Sequence, residues 1–540
     1  MDTRDHRDIS LAPAIRSAYA AGQEDEALDP IVKCDAAGRP VGRIRPGDAV
    51  IFYDIRGERE VELTEALTDP AFRHFPVEPG GLGLDFATMI EYAPRLAVRV
   101  AFPPEERIGN TLTEVVTRAG LRLVKVSESE KAVHIGHFLN GKSDAVFPGE
   151  ERVVVPSPAG VANYAETPGM SARGVVDAVR AKIAEGLCDV VIANLANVDV
   201  LGHIEDKAAV LRAVETVDAS LGEIEAAARA AGMTLIVTAD HGTVEEWLYP
   251  DGAVNTGHTK NPVPFILCDF GERAPERMRV ADRGELADIA PTVLGLLGLA
   301  VPGEMTGRNL IQPGPVAPGG RTRKRVLLLI MDGWGARAEA SGNLIVEART
   351  PHFDRLWAGF PHALLDSFGE AVGMPAGTVG NSEAGHLHIG AGRRILLDRV
   401  KIDKAVEDGA FFRNEAFGGV MDRARARGAG LHLLGIVSFY SSHGTLRHLF
   451  ALLRMAAERG LTRVYVHGLI GRRGEKPESG AIYVEKVEEE CRRLGVGELV
   501  TVIGRFWALD REENWDRVER TYRLLVDGEG RRVTDGRKKA

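Results

Sequence analysis

Cysteine is scarce in this chain: Cys34, Cys188, Cys268 and Cys491 are its only four among 540 residues. They lie far apart and form no Cys-x-x-Cys pair, which speaks against a zinc knuckle and against a disulfide framework. Cys188 and Cys268 fall in apolar runs and read as small core residues. No apolar run is long enough for a bilayer-spanning helix. The start, MDTRDHRDIS, is charged and lacks the apolar stretch of a signal peptide. Positive charge is not in excess either. The formal net charge of −10 gives no sign of a nucleic-acid binder. The basic run Arg321 to Arg325 is short, abuts a Pro/Gly-rich segment and reads as the solvated end of a linker. These absences lead us to expect a cytoplasmic protein with neither membrane nor nucleic acid as partner; a monomer is expected as well.

What is present is an ordinary globular composition, 44% hydrophobic and 27% charged, long enough for two or more domains. Strand-like apolar runs alternate with helical patterns. Asp189 to Leu195, Thr234 to Thr238 and Val326 to Met331 read as buried strands. Lys207 to Ala231 reads as a helix, with Leu211, Val214, Val217 and Leu221 at helical spacing. Such alternation predicts an α/β fold with a largely parallel sheet. The segment Gln312 to Gly320, rich in proline and glycine, reads as a surface linker. The polar tail from Thr534 onward reads as frayed.

Chemistry-bearing residues cluster at the ends of the predicted strands, where open α/β sheets bind ligands. Asp332 follows the strand Val326 to Met331, and Asp240 and His241 follow Thr234 to Thr238. Asp199 and His203 stand four apart and meet if the segment turns helically. His258 lies in the loop-like Gly257-His258-Thr259-Lys260-Asn261-Pro262. Singly, such an aspartate reads as a helix cap and such a histidine as a surface or core residue. Together with Ser382, which stands between Gly380 and Gly385, they read as mixed carboxylate and imidazole ligands suited to Mn²⁺ or Zn²⁺. Ser382 itself reads either as a helix N-cap or as a nucleophile activated by a metal at a phosphate-binding helix start.

The runs VLLLIMDGWG, GNSEAGH, FPGEERVVVPSP, NVDVLGH, TADHG, GHTKNPVPF and GRFWALDREENWDRVERTYRLLVDGEG carry a resemblance. The chain resembles the cofactor-independent phosphoglycerate mutases of the alkaline phosphatase superfamily, over nearly its whole length. Proteins of that family begin with the MDGWG strand, which here follows the linker, so the resemblance implies a circular permutant. It implies an alkaline-phosphatase-like dimetal domain at 108–393, with the linker at 312–324. It implies a smaller transferase domain split between 1–107 and 394–540. One metal site is then Asp199, His203 and His258; the other is Asp332, Asp240, His241 and the Ser382 hydroxyl. Substrate contacts are Arg56, Arg59, Lys131, His443, Arg473, Arg505 and Arg511. The implied reaction interconverts 3-phosphoglycerate and 2-phosphoglycerate through a phosphoserine at Ser382. It uses two divalent ions, Mn²⁺ or else Zn²⁺, and no bisphosphoglycerate, and domain closure keeps water out.

Two departures from the family pattern fall in the transferase part. Phe439 stands where the family carries a carboxylate ahead of His443. Gly471 and Gly474 replace two carboxylates around Arg473, the second of which the family associates with the glycerate hydroxyls and their protons. They leave a phosphohydrolase, or a phosphomutase for another small phosphate ester, as the alternative enzyme. A degenerate binding protein is the non-enzymatic alternative.

Overall fold

The computed structural model describes residues 9–104, 107–161, 163–249, 251–270, 278–312, 324–439, 441, 443–471 and 478–534. Most of the expected linker, Arg321 to Arg323 of the basic run after it, Arg473, Gly474 and nearly all of the polar tail lie outside the described residues. The chain divides into two compact units, Glu105–Leu397 and, from both chain ends, Met1–Pro104 with Asp398–Ala540. Each has its own apolar core.

The Glu105–Leu397 unit is built on an eight-stranded sheet. Its order is Arg283–Glu285, His362–Asp366, Val263–Cys268, Thr234–Thr238, Val326–Met331, Val190–Leu195, Leu123–Glu128, Glu150–Val155. The last five run parallel to one another, whereas Val263–Cys268 runs antiparallel to both of its neighbours. Val326–Met331 is buried along its whole length. An uninterrupted apolar run of this kind forms a strand covered on both faces, which is the position of a central parallel strand. Ile330 pairs with Asn194 on one side and Thr238 on the other, so three strands end level. The residues just past that edge therefore gather in one place.

Helices pack on this sheet for legible reasons. Lys207–Ala230 begins at Asp206, whose carboxylate accepts from the Ala209 amide at 2.9 Å. It buries Val210, Val214, Val217, Leu221 and Ile224, a helical stripe facing the core. Asn197–Gly202 is a short helix directly after the Val190–Leu195 strand.

The other unit also holds an eight-stranded sheet, and the two chain segments interleave in it. Ala49–Phe52 pairs in parallel with Leu431–Ile436, and Ile31–Lys33 pairs antiparallel with Glu498–Gly504. Neither segment alone satisfies the backbone groups along these strands, so they fold as one body. Among the described residues, no helix is long and apolar enough to cross a membrane.

Candidate active site

Four parallel-strand ends and one helix start supply the site of the Glu105–Leu397 unit. Asp332 follows Val326–Met331, and Asp240 and His241 follow Thr234–Thr238. Asp199 comes from the helix after Val190–Leu195, and Lys131 from a turn after Leu123–Glu128. Ser382 is the first residue of the helix Ser382–Ala391, and the cap is Asn381, whose side chain accepts from the Ala384 amide at 2.8 Å. The serine thus stands at the helix mouth rather than capping it.

The backbone comes this close because of glycine. A Cβ on Gly385 would lie 2.6 Å from the Asp240 carbonyl oxygen, and one on Gly333, at φ +79°, would lie 2.7 Å from the Asp199 nitrogen. Neither position accepts a side chain without moving an aspartate.

Ser382 Oγ accepts from Lys131 Nζ at 2.6 Å, lies 2.9 Å from His241 Nε2 and donates to Asp332 Oδ1 at 3.2 Å. The Lys131 ammonium also reaches Asp199 Oδ2 and Asp332 Oδ1, each at 2.7 Å. Burial disfavours its charge, yet Asp332, Asp199 and Asp240 outweigh burial and lift its pKa above the usual lysine value. Burial also pushes Asp199 up, but Lys131 and His241 bring it well below the ordinary carboxylate range. Asp332 goes the other way, raised by burial and by the Asp240 charge.

The histidine tautomers follow from their partners. His203 Nδ1 faces the Thr256 carbonyl and His258 Nδ1 faces the Gly380 carbonyl, both at 2.8 Å. Those nitrogens must donate, so in the neutral rings each Nε2 is a lone pair. The two Nε2 atoms lie 3.2 Å apart, at 3.3 and 3.2 Å from Asp199 Oδ1. Three acceptors converge on one point that calls for positive charge. Buried Asp240 Oδ2 and Asp199 Oδ1 likewise lack a hydrogen-bond donor. His241 Nε2 stands 3.5 to 3.6 Å from carboxylate oxygens of Asp199, Asp240 and Asp332. The donor set fits divalent cations, with carbonyl-bonded imidazoles behind them.

All seven residues expected as ligands are brought together. Lys131, expected to touch substrate, is gathered with them and bonds the carboxylates and the serine. Sequence reasoning missed His386 and Asn194. Asn194 donates to Asp332 Oδ2 at 2.7 Å and lies 3.1 Å from His386 Nε2. His386 Nδ1 lies 2.9 Å from the Ser382 carbonyl and 3.2 Å from Asp240 Oδ2. Both nitrogens of His386 are engaged with protein atoms, Nδ1 with the Ser382 carbonyl and Nε2 with the Asn194 amide, so it steadies the helix. Its spacing of four from Ser382 on one helix face was the available signal.

The other unit holds the remaining predicted residues, of which Arg56, Arg59, His443, Arg505 and Arg511 are described and Arg473 is not. Arg56 and Arg511 both bond Glu58 Oε1, at 3.0 Å. Arg505 Nη2 lies 3.2 Å from His443 Nε2, and Arg59 donates to the Leu509 carbonyl at 3.1 Å. Phe439 packs against Phe450 and Tyr483, with centroids at 6.2 and 5.8 Å. A Cβ on Gly471, at φ +108°, would lie 2.7 Å from Glu26 Cα. An apolar contact and a backbone contact occupy these two places.

A family profile described as the metalloenzyme superfamily matches residues 21–301, just over half of the chain. The chain belongs to the metalloenzyme superfamily. Its matched span carries Asp199, His203, Asp240, His241 and His258, five of the ligands expected from the sequence. A second profile, described as the N-terminus of BPG-independent PGAM, matches residues 402–540.

Curated relatives carry the name 2,3-bisphosphoglycerate-independent phosphoglycerate mutase. That of Moorella thermoacetica is 42% identical over 311 residues, 57% of this chain and 58% of the relative. That of Thermomicrobium roseum is 44% identical over 300 residues, 55% of this chain and 57% of the relative. The alignments thus span less than two thirds of these relatives. A crystal structure of Leishmania mexicana phosphoglycerate mutase aligns with a TM-score of 0.37 and 28% identity, over 52% of this chain and 53% of that one.

Proposed function

We propose that this metalloenzyme is a phosphomutase that interconverts 3-phosphoglycerate and 2-phosphoglycerate through a phosphoserine at Ser382. The observation that carries the reading is the position of Ser382 Oγ, within 2.6 to 3.2 Å of Lys131, His241 and Asp332 at a helix start. Asp199, His203 and His258 would hold one divalent cation. Asp332, Asp240, His241 and Ser382 would hold the other, with Mn²⁺ as the proposed metal. When bound, the cations lower the serine hydroxyl pKa and offset charge on the phosphoryl group.

The chain's own residues do the rest. Asp332 Oδ1 accepts the Ser382 hydroxyl proton, which orients the oxygen for attack. The Lys131 ammonium adds charge against the developing oxyanion. The amides at the helix start, held by the Asn381 cap, favour a phosphate there. Arg56, Arg59, Arg505 and Arg511 supply guanidinium forks for carboxylate and phosphate. The N-terminus profile matches late in this chain, which supports a permuted order of segments.

Phe439 and Gly471, standing where the resemblance implies carboxylates, favour a second reading, release of the phosphoryl group to water. Phosphorus NMR of 3-phosphoglycerate with the Mn²⁺-loaded protein separates them. Accumulating 2-phosphoglycerate supports the mutase, inorganic phosphate alone supports the hydrolase, and an unchanged spectrum refutes both.

A further inference from the structure

One buried carboxylate of the Glu105–Leu397 unit is not among the proposed ligands, yet the loops that carry ligands converge on it. Glu245 is 0% exposed and lies in the turn Val244–Glu246, just beyond His241. Its Oε2 accepts from the Thr243 amide at 2.9 Å. Its Oε1 accepts from the Thr259 hydroxyl and, at 3.0 Å, from Asn261 Nδ2. Thr259 directly follows His258 in the chain. A single carboxyl group therefore bonds the His241 loop through one oxygen and the His258 loop through the other. The Thr259 amide adds a second tie between these loops, donating to the Gly242 carbonyl at 3.1 Å.

The segment after Asp332 closes on the same group. A Cβ on Gly335 would overlap the Glu245 carboxyl carbon, so only glycine lets the chain pass this close. Two residues on, Arg337 Nη1 donates to the Glu245 backbone carbonyl at 3.3 Å. Between them, the Ala336 amide donates to the Pro262 carbonyl at 2.8 Å, which ties this segment to the His258 loop as well. A buried carboxylate persists only where donors satisfy it. Thr243, Thr259 and Asn261, which satisfy this one, all stand on ligand-bearing loops.

His258 belongs to one proposed cation site, whereas His241 and Asp332 belong to the other. We propose that Glu245 is a positioning residue that locks these three segments together and so holds the two proposed cation sites at a fixed separation. The proposal rests on the two-cation reading given above. Glu245 acts through Thr243, Thr259 and Asn261 rather than by coordination. Loops already fixed by buried hydrogen bonds need no ordering when the cations arrive, which preserves affinity.

The test reads Mn²⁺ binding by the full-length protein, with calorimetry and electron paramagnetic resonance. In Glu245→Gln an acceptor oxygen becomes an amide NH₂ group, which sets donor against donor on one loop or the other. Mn²⁺ affinity should fall about tenfold to a hundredfold, the usual effect of removing a partner behind metal ligands. At equal loading, the spin-coupled signal of an ion pair should give way to the hyperfine pattern of isolated ions. A folded Glu245→Gln protein whose affinity stays within about twofold of wild type, or whose coupled signal is unchanged, overturns the proposal.

Thr259→Val removes one donor and keeps the side chain's shape, so it judges the junction even where Glu245→Gln does not fold. It should lower Mn²⁺ affinity about tenfold, and a change within about twofold overturns the proposal. With both substitutions the loss should barely exceed that of Glu245→Gln alone, because the two groups act through one bond. Losses that add in full show independent roles and overturn the link. A wild type that binds no Mn²⁺ refutes the two-cation reading itself. A coupled pair that forms in the wild type and is untouched by either substitution overturns the positioning role alone.

Discussion

A serine hydroxyl becomes a useful nucleophile only when its proton has somewhere to go and its oxygen has positive charge beside it. Ser382 has both, in Asp332 Oδ1 and Lys131 Nζ. Ser382→Ala should abolish turnover, a fall of at least about a thousandfold, because no other group takes its place. Cation binding, read by calorimetry with Mn²⁺, should weaken only modestly, since the six other proposed side-chain ligands stay. Loss of all binding together with activity would make Ser382 a structural residue instead. The strand-end aspartates and histidines were legible because each stands just past an apolar run. Lys131 was legible as a functional residue but not in its partners. Nothing in the Glu128-Ser129-Glu130-Lys131 stretch reveals which distant strands end beside it. His386 went unnoticed for a different reason: its partners, Asp240 and Asn194, lie over a hundred residues away.

Elements decide how precisely these side chains meet. Replacing the cap in Asn381→Ala removes the bond to the Ala384 amide and should cost about 1 kcal/mol. Because the same turn aims Ser382, turnover should fall more than the melting temperature does. Gly385→Ala should be more severe, since its Cβ would lie 2.6 Å from the Asp240 carbonyl and push the helix from the strand end. Cation affinity measured by calorimetry should drop together with activity. The Leu123–Glu128 strand carries a separate device. Lys125 is fully buried, 3.0 Å from Glu150 and bonded to Asn140. Lys125→Met would leave Arg152, 2.7 Å from Glu150 Oε1, as the remaining charge partner and should cost about 2 kcal/mol in urea unfolding. Burial lowers Lys125 to about 8, below the unfolded value of about 10.4. Between these values the unfolded chain holds the extra proton, so this residue makes stability rise with pH. That rise should vanish in Lys125→Met. The buried strands were legible from their apolar runs. The cap was assigned one residue late, because serine and asparagine both serve and the helix start depends on tertiary contacts.

For the whole molecule, the division into two units explains where function can be separated. Glu105–Leu397 is continuous in the chain and contains all seven expected metal and nucleophile residues over its own core. Produced alone, it should fold, bind Mn²⁺ and release nitrophenol from p-nitrophenyl phosphate, yet fail to convert 3-phosphoglycerate for want of the arginine group. Conversion by this unit alone would show that the arginines are dispensable. The α/β character was readable from alternating patterns and from the family motifs. Interleaved pairing of strands such as Ala49–Phe52 with Leu431–Ile436 was not, because pairing depends on partners hundreds of residues apart. The central claim is that a phosphoryl group rests on one oxygen, Ser382 Oγ, during turnover. Acid-quenched Mn²⁺-loaded protein mixed with 3-phosphoglycerate, digested and analysed by mass spectrometry, tests it most directly. The account predicts phosphate on the peptide containing Ser382, absent in Ser382→Ala. Turnover with phosphate on another residue, or undiminished in Ser382→Ala, would contradict it.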